Sequence, residues 1–261
     1  MSKTAALLLL AALVPAAGLA SLTETQRAKA ESLPAVTVPT PAEFFGAIDK
    51  VSRPDWAAFY RDPGPTSFPT RPQTAFNLGA LVADGYIAVE AQDGQQVKNT
   101  GKDIVALARA LGVGENVLAR GKSISDFADK NDWFALREEL EATTNEVRRA
   151  MADQRDEALA SLILAGTWVR SLQAGGRAAE LSGEPSAASL LGQQELIAYL
   201  HGQLLELPEK VRTGPVVARV GDAFVAVGEL MNVDGGGVPD LERAGAIQAA
   251  CAELLTQLGS K

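Results

Sequence analysis

Histidine and cysteine occur once each in this chain, and aromatic residues make up only 5% of it. Each scarcity closes off a class of chemistry. Cys251 has no partner for an internal disulfide, and it cannot build a cysteine metal site. His201 by itself falls short of a three-histidine metal centre. The sequence contains neither GxSxG nor HExxH. Gly101-Lys102 and Gly121-Lys122 lack the spaced glycines after a strand that cradle a phosphate. The turn at 234–237 offers one acidic ligand, Asp234, with Asp240 beyond it, which is too few for a calcium loop. No metal and no cofactor are therefore expected.

Positive charge is also short. Lys and Arg total 24 against 32 Asp and Glu, a formal net charge of -8. That balance gains nothing from a phosphate backbone and disfavours nucleic acid as a partner. It equally disfavours docking on anionic lipid. Beyond residue 20 no run is long and apolar enough to span a bilayer.

The first twenty residues have the layout of a cleaved secretory signal. Lys3 gives a basic start, 7–14 is apolar, and PAAGLA precedes Ser21, with Ala20 as the last residue removed. No cysteine follows the apolar run, so a lipoprotein is not expected. Cleavage removes Lys3 and takes the formal charge from -8 to -9. The expected product, 21–261, is a periplasmic or secreted single domain with no membrane segment.

Hydrophobic residues make up 47% of the chain, enough for a substantial core. Their spacing predicts an all-α fold, a compact bundle of about eight to ten helices. Residues 73–93 predict a central helix whose apolar side chains nearly encircle the axis, leaving Asp84, Ala88 and Ala91 as a narrow, less apolar strip. Residues 154–175 predict a second such helix, ended or kinked at Gly175-Gly176. Thr40-Pro41 with Glu43 marks a capping box. Thr100 is expected to start another helix, and Gly121 and Ser123 to precede a short one. Asn131 or Asp132 is expected to cap a long amphipathic helix, and Pro185 to open one running to about Glu206. Residues 214–231 are valine-rich, as a strand would be, but Val216, Val220, Phe224 and Val227 are spaced for a helix. Helix is the preferred reading there, a β hairpin the alternative.

Residues 53–72 carry five prolines beside Trp56, Phe59, Tyr60 and Phe68. They predict an ordered wrap across the helical body, with one helical turn near Trp56. Laying 78–92 on 159–173 suggests an internal repeat, with halves 73–153 and 154–261, and sets Gly85 against Gly166 as a close contact.

Six residues stand out as candidates for a pocket: Asp84, Arg170, Gln194, His201, Trp56 and Tyr60. Asp84 on a buried helix needs a counter-charge, and Arg170 on the other core helix is its expected mate. Gln194 and His201 are expected on the inward stripe of their helix. The functional expectation is an exported binding or structural module, docking a small molecule or protein in an interhelical groove. A metal-free enzyme using His201 with a carboxylate is the alternative. No catalytic residue is assigned.

Overall fold

A computed structural model describes residues 39–260. The signal segment and the stretch up to residue 38 lie outside the described residues. The helices are α1 (Pro41–Ser52), α2 (Arg71–Glu90), α3 (Gly94–Ala110), α4 (Gly114–Asp129), α5 (Trp133–Asp153), α6 (Glu157–Ser182), α7 (Pro185–Ser189), α8 (Gln194–Leu205), α9 (Glu209–Arg212), α10 (Pro215–Met231) and α11 (Leu241–Gly259). A 3-10 turn, Trp56–Phe59, precedes α2. The fold is an all-α multi-helix bundle. Among the described residues, the sole departure toward β structure is one bridge between Val233 and Gly237.

Local chemistry sets the helix starts. Thr40 and Glu43 form the reciprocal capping box ahead of α1, with Thr40 N–H donating to Glu43 Oε2 at 2.7 Å. Thr70 caps α2, so Arg71 and Pro72 fall inside its first turn, where proline's missing N–H costs nothing. α3 starts earlier than Thr100, because Asp93 accepts from Gln96 N at 2.9 Å and nucleates the helix seven residues sooner. α4 is not short either, and it runs straight through Gly121 and Ser123. Asp132 caps α5. The valine-rich segment is helical, as α10. The helix expected from Pro185 is broken at 190–193 into α7 and α8.

α2 and α6 are the core. From Thr74 to Val89, all of α2 is buried except Leu81 and Asp84. The open strip there is thus Leu81 and Asp84, and Ala88, expected on it, is fully enclosed. The two helices run in the same direction. Arg71 at the start of α2 reaches Asp156 before α6, Gly79 meets Ile163 and Thr167, and Asp84 meets Arg170. The intervening α3–α5 make the long return that a parallel pair requires.

The closest approach of the pair is reciprocal. A Cβ on Gly79 would overlap the carbonyl oxygen of Ile163, and a Cβ on Gly166 would overlap that of Phe76. Each glycine thus presents only hydrogen to a carbonyl three residues before the other, the arrangement of a Cα–H···O contact. Thr167 Oγ1 donates to Gly79 O at 3.1 Å and locks the crossing. Gly166 is the expected contact residue; its partner is Gly79 and not Gly85, which instead faces the Leu140 side chain. Gly175 and Gly176 do not end α6. A Cβ on Gly175 would come 2.8 Å from the Phe44 ring, and one on Gly176 would come 2.8 Å from Ala244 O. These glycines admit α1 and α11 to α6, which stops at Gly183 in the left-handed region (φ 66°).

Cys251 lies on the inner face of α11 beside an apolar gap too small for a water molecule. Burial pushes its thiol from the ordinary 9.0 up to about 12. Because the folded state holds this proton more tightly, the thiol favours folding below pH 9 and that contribution disappears as pH rises toward 12. A water-soluble disulfide reagent at pH 8 is therefore expected to leave the native thiol unmodified and to label it fully in denaturant. Rapid stoichiometric labelling of the native chain would contradict the packing of α11.

Candidate functional site

The wrap is fixed by its first half. Trp56 and Phe59 are buried, and Trp56 Nε1 donates to Asp49 Oδ1 at 2.9 Å. Edge-to-face contacts join Phe45 to Trp56 (5.6 Å) and Phe44 to Trp168 (5.7 Å), while Phe45 stacks on Tyr86 (5.9 Å). Trp56 is thus an anchor in the aromatic core and is not among the described residues that line the cleft below. Beyond Phe59 the chain leaves the core and forms the lip of a cleft of about 700 Å³.

Helical periodicity builds the cleft's other sides. α2 contributes Asn77, Leu81 and Asp84, spaced i, i+4, i+7 and therefore on one face. α3 contributes Gln96, Asn99, Asp103 and Leu107 on the same principle. α11 closes the third side with Ala252, Leu255 and Thr256. Its end is tied to α2, since Gln73 Nε2 and Asn77 Nδ2 both donate to Leu258 O, at 2.9 and 2.8 Å.

Two polar ties hold the lip. Tyr60 Oη donates to Asp93 Oδ2 at 3.4 Å, using the oxygen that Asp93's cap of α3 leaves free. Burial and the neighbouring Asp93 raise the Tyr60 phenol above its usual range. Arg61 donates to Asp84 Oδ2 through Nε (3.1 Å) and Nη2. Behind it, Arg170 Nε donates to Asp84 Oδ1 at 2.7 Å, so one carboxylate lies between two guanidiniums. Arg170 is 1% exposed; its Nη2 donates to Phe59 O at 2.6 Å and its Nη1 to Gln173 Oε1. Burial pulls its basicity down while Asp84 pulls it back up. The expected Asp84–Arg170 pair therefore exists, and Arg61 is a third member that the sequence did not single out for it.

Of the six sequence candidates, Tyr60 and Asp84 line the cleft and Arg170 stands directly behind Asp84. The other three lie elsewhere. Gln194 is exposed at the first residue of α8, where Nε2 donates to Met231 O at 2.6 Å and closes the end of α10. His201 is half-buried on α8 with Nε2 toward Gly221 of α10, and it is not among the residues around the cleft. The inward stripe of α8 is Leu196, Ile197, Leu200 and Leu204, which keeps the expected Ile197, Leu200 and Leu204 but leaves Gln194 and His201 off it. Among the described residues no group of three or more His, Cys, Asp or Glu is placed to hold a metal ion.

Asp103 is the cleft residue that sequence reasoning missed. It is half-buried, and among the described residues it takes part in no ion pair or hydrogen bond. Burial raises its carboxyl above the usual value, and nearby Lys102 offsets only part of that. The folded state thus binds this proton more readily, so the group's stabilising share is complete below about pH 4 and lost as pH climbs through the folded value. Asp103→Asn is expected to raise the melting temperature modestly at pH 7 and not at pH 3. A loss of stability at pH 7 would mean that Asp103 holds the fold together.

No protein-family model, curated protein or solved structure matches this chain.

Proposed function

We propose that this chain is an exported helical binding module that holds a small organic molecule in the cleft between α2, α3 and α11. The cleft itself carries the reading. Its volume falls in the range of small-molecule sites, and it combines Leu81, Leu107 and Leu255 with a few convergent polar groups. The surrounding helices are tied to one another by buried contacts, and the lip is held by Arg61 and Tyr60, so the concavity is largely preformed. A concave site of this size fits a small molecule better than a protein surface. Export is supported by the signal-like layout of 1–20.

The test is a nuclear magnetic resonance screen of the mature chain, 21–261, against a library of small fragments. Shifts are expected to cluster on Leu81, Asn99, Thr100 and Leu255. Ala252→Trp, which places an indole in the cleft, is expected to abolish them while leaving the melting curve nearly unchanged. Shifts scattered over the surface, or insensitive to Ala252→Trp, would remove the proposal.

A further inference from the structure

We propose that the cleft recognises a protonated amine on an otherwise apolar small molecule, with Asp103 as the amine's counter-ion. This rests on the cleft being a small-molecule site and adds the chemistry of what it takes.

The carboxylates around the cleft are not equivalent. Asp84 is held between Arg61 and Arg170. Asp93, at the base of the lip, accepts from Tyr60 and from the start of α3. Asp62 is exposed on the lip, in water. Asp103 alone among these four is partly withdrawn from water with no protein partner among the described residues, and a carboxylate so placed gains most from a cation brought to it.

Its neighbours on α3 fit the rest of such a ligand. Leu107, one turn on, is apolar and fully buried, with Leu81 and Leu255 across the cleft. Asn99 and Thr100, one turn back, supply neutral hydrogen-bonding groups for the other protons of an ammonium. An anionic ligand meets the opposite conditions. Arg61, the one cationic side chain among the described lining residues, is engaged by Asp84 through two nitrogens, and Asp62 and Asp103 would repel the anion. The net charge of the chain, -8, also draws cations toward it and keeps anions away.

The experiment uses three probes that share one aromatic body: 2-phenylethylamine, 2-phenylethanol and 3-phenylpropionate. Each is titrated at pH 7 into the mature chain, with amide shifts followed at Asn99, Thr100, Asp103 and Leu255. The amine is expected to bind there about tenfold more tightly than the alcohol, and the acid more weakly than either. Asp103→Asn is expected to bring the amine down to the alcohol. Equal binding of amine and alcohol by the unaltered chain overturns the amine assignment and leaves the cleft reading standing. Shifts from none of the three at these residues overturn both. Because the selectivity of the unaltered chain decides the matter, the outcome stands even if the variant folds poorly.

Discussion

Gly79→Val is expected to lower stability by about 3 kcal/mol or more, and Gly166→Val to do the same. Overpacking a well-filled core ordinarily costs 1–3 kcal/mol, because side chains can shift to absorb part of the strain. Here the obstacle is backbone. The new Cβ would overlap a carbonyl oxygen of the facing helix, Ile163 O in one case and Phe76 O in the other. Relief requires moving one core helix away from the other, which also breaks the bond from Thr167 to Gly79 O. Even alanine should destabilise at both places, although it raises helix propensity by about 1 kcal/mol. Gly46→Ala is the control: a Cβ there meets nothing within 4 Å, so the propensity gain should appear undiminished. Urea unfolding followed by circular dichroism reads all of these. If Gly79→Ala and Gly46→Ala move the midpoint in the same direction, the central crossing is wrongly described.

The second large effect is expected at Asp84. Asp84→Asn leaves Arg170 fully charged, since guanidinium does not deprotonate, and enclosed with no counter-ion. Arg61 would then face Arg170 as a like charge. Removing one partner of a buried pair costs about 3–5 kcal/mol, and the lower end applies because Asp84 keeps some contact with water and Arg61 can swing outward. Arg170→Met should cost less, because Asp84 retains Arg61 and the apolar stem is preserved. The double variant, Asp84→Leu with Arg170→Met, should recover most of the loss of Asp84→Asn, since an apolar pair of similar volume leaves no buried charge. With Asp84→Leu and Arg170→Met measured singly and together, strong non-additivity is the expected signature of direct coupling. Additive effects would mean that Arg170 is held by Phe59 O and Gln173 alone.

The all-α class and the two core helices followed from apolar spacing. So did the Asp84–Arg170 pair, because burial of either charge demands the other. The glycines were harder. In sequence a glycine signals a break, a turn or a close approach in the same way, so Gly175-Gly176 and Gly121 look like breaks. Only the neighbouring helices show that Gly175 and Gly176 are approach positions, or that Gly79 and not Gly85 meets α6. One helix start decides whether the cleft can be seen in the sequence. With α3 begun at Thr100, Asp103 reads as a capping acid. With the start moved back to Asp93, Gln96, Asn99, Asp103 and Leu107 become one stripe. A helix continued through 190–193 would set Gln194 one turn after Leu190 and so inward; the break there leaves it exposed at the start of α8.

The parallel arrangement of α2 and α6 bears on how the chain reaches its native state. α2 is apolar on nearly every side, yet the helix that covers its crossing face is made only after α3, α4 and α5 have been synthesised. A nascent chain ending before Glu157 would carry α2 without that cover, sticky and open to aggregation, and folding must wait for a distant partner.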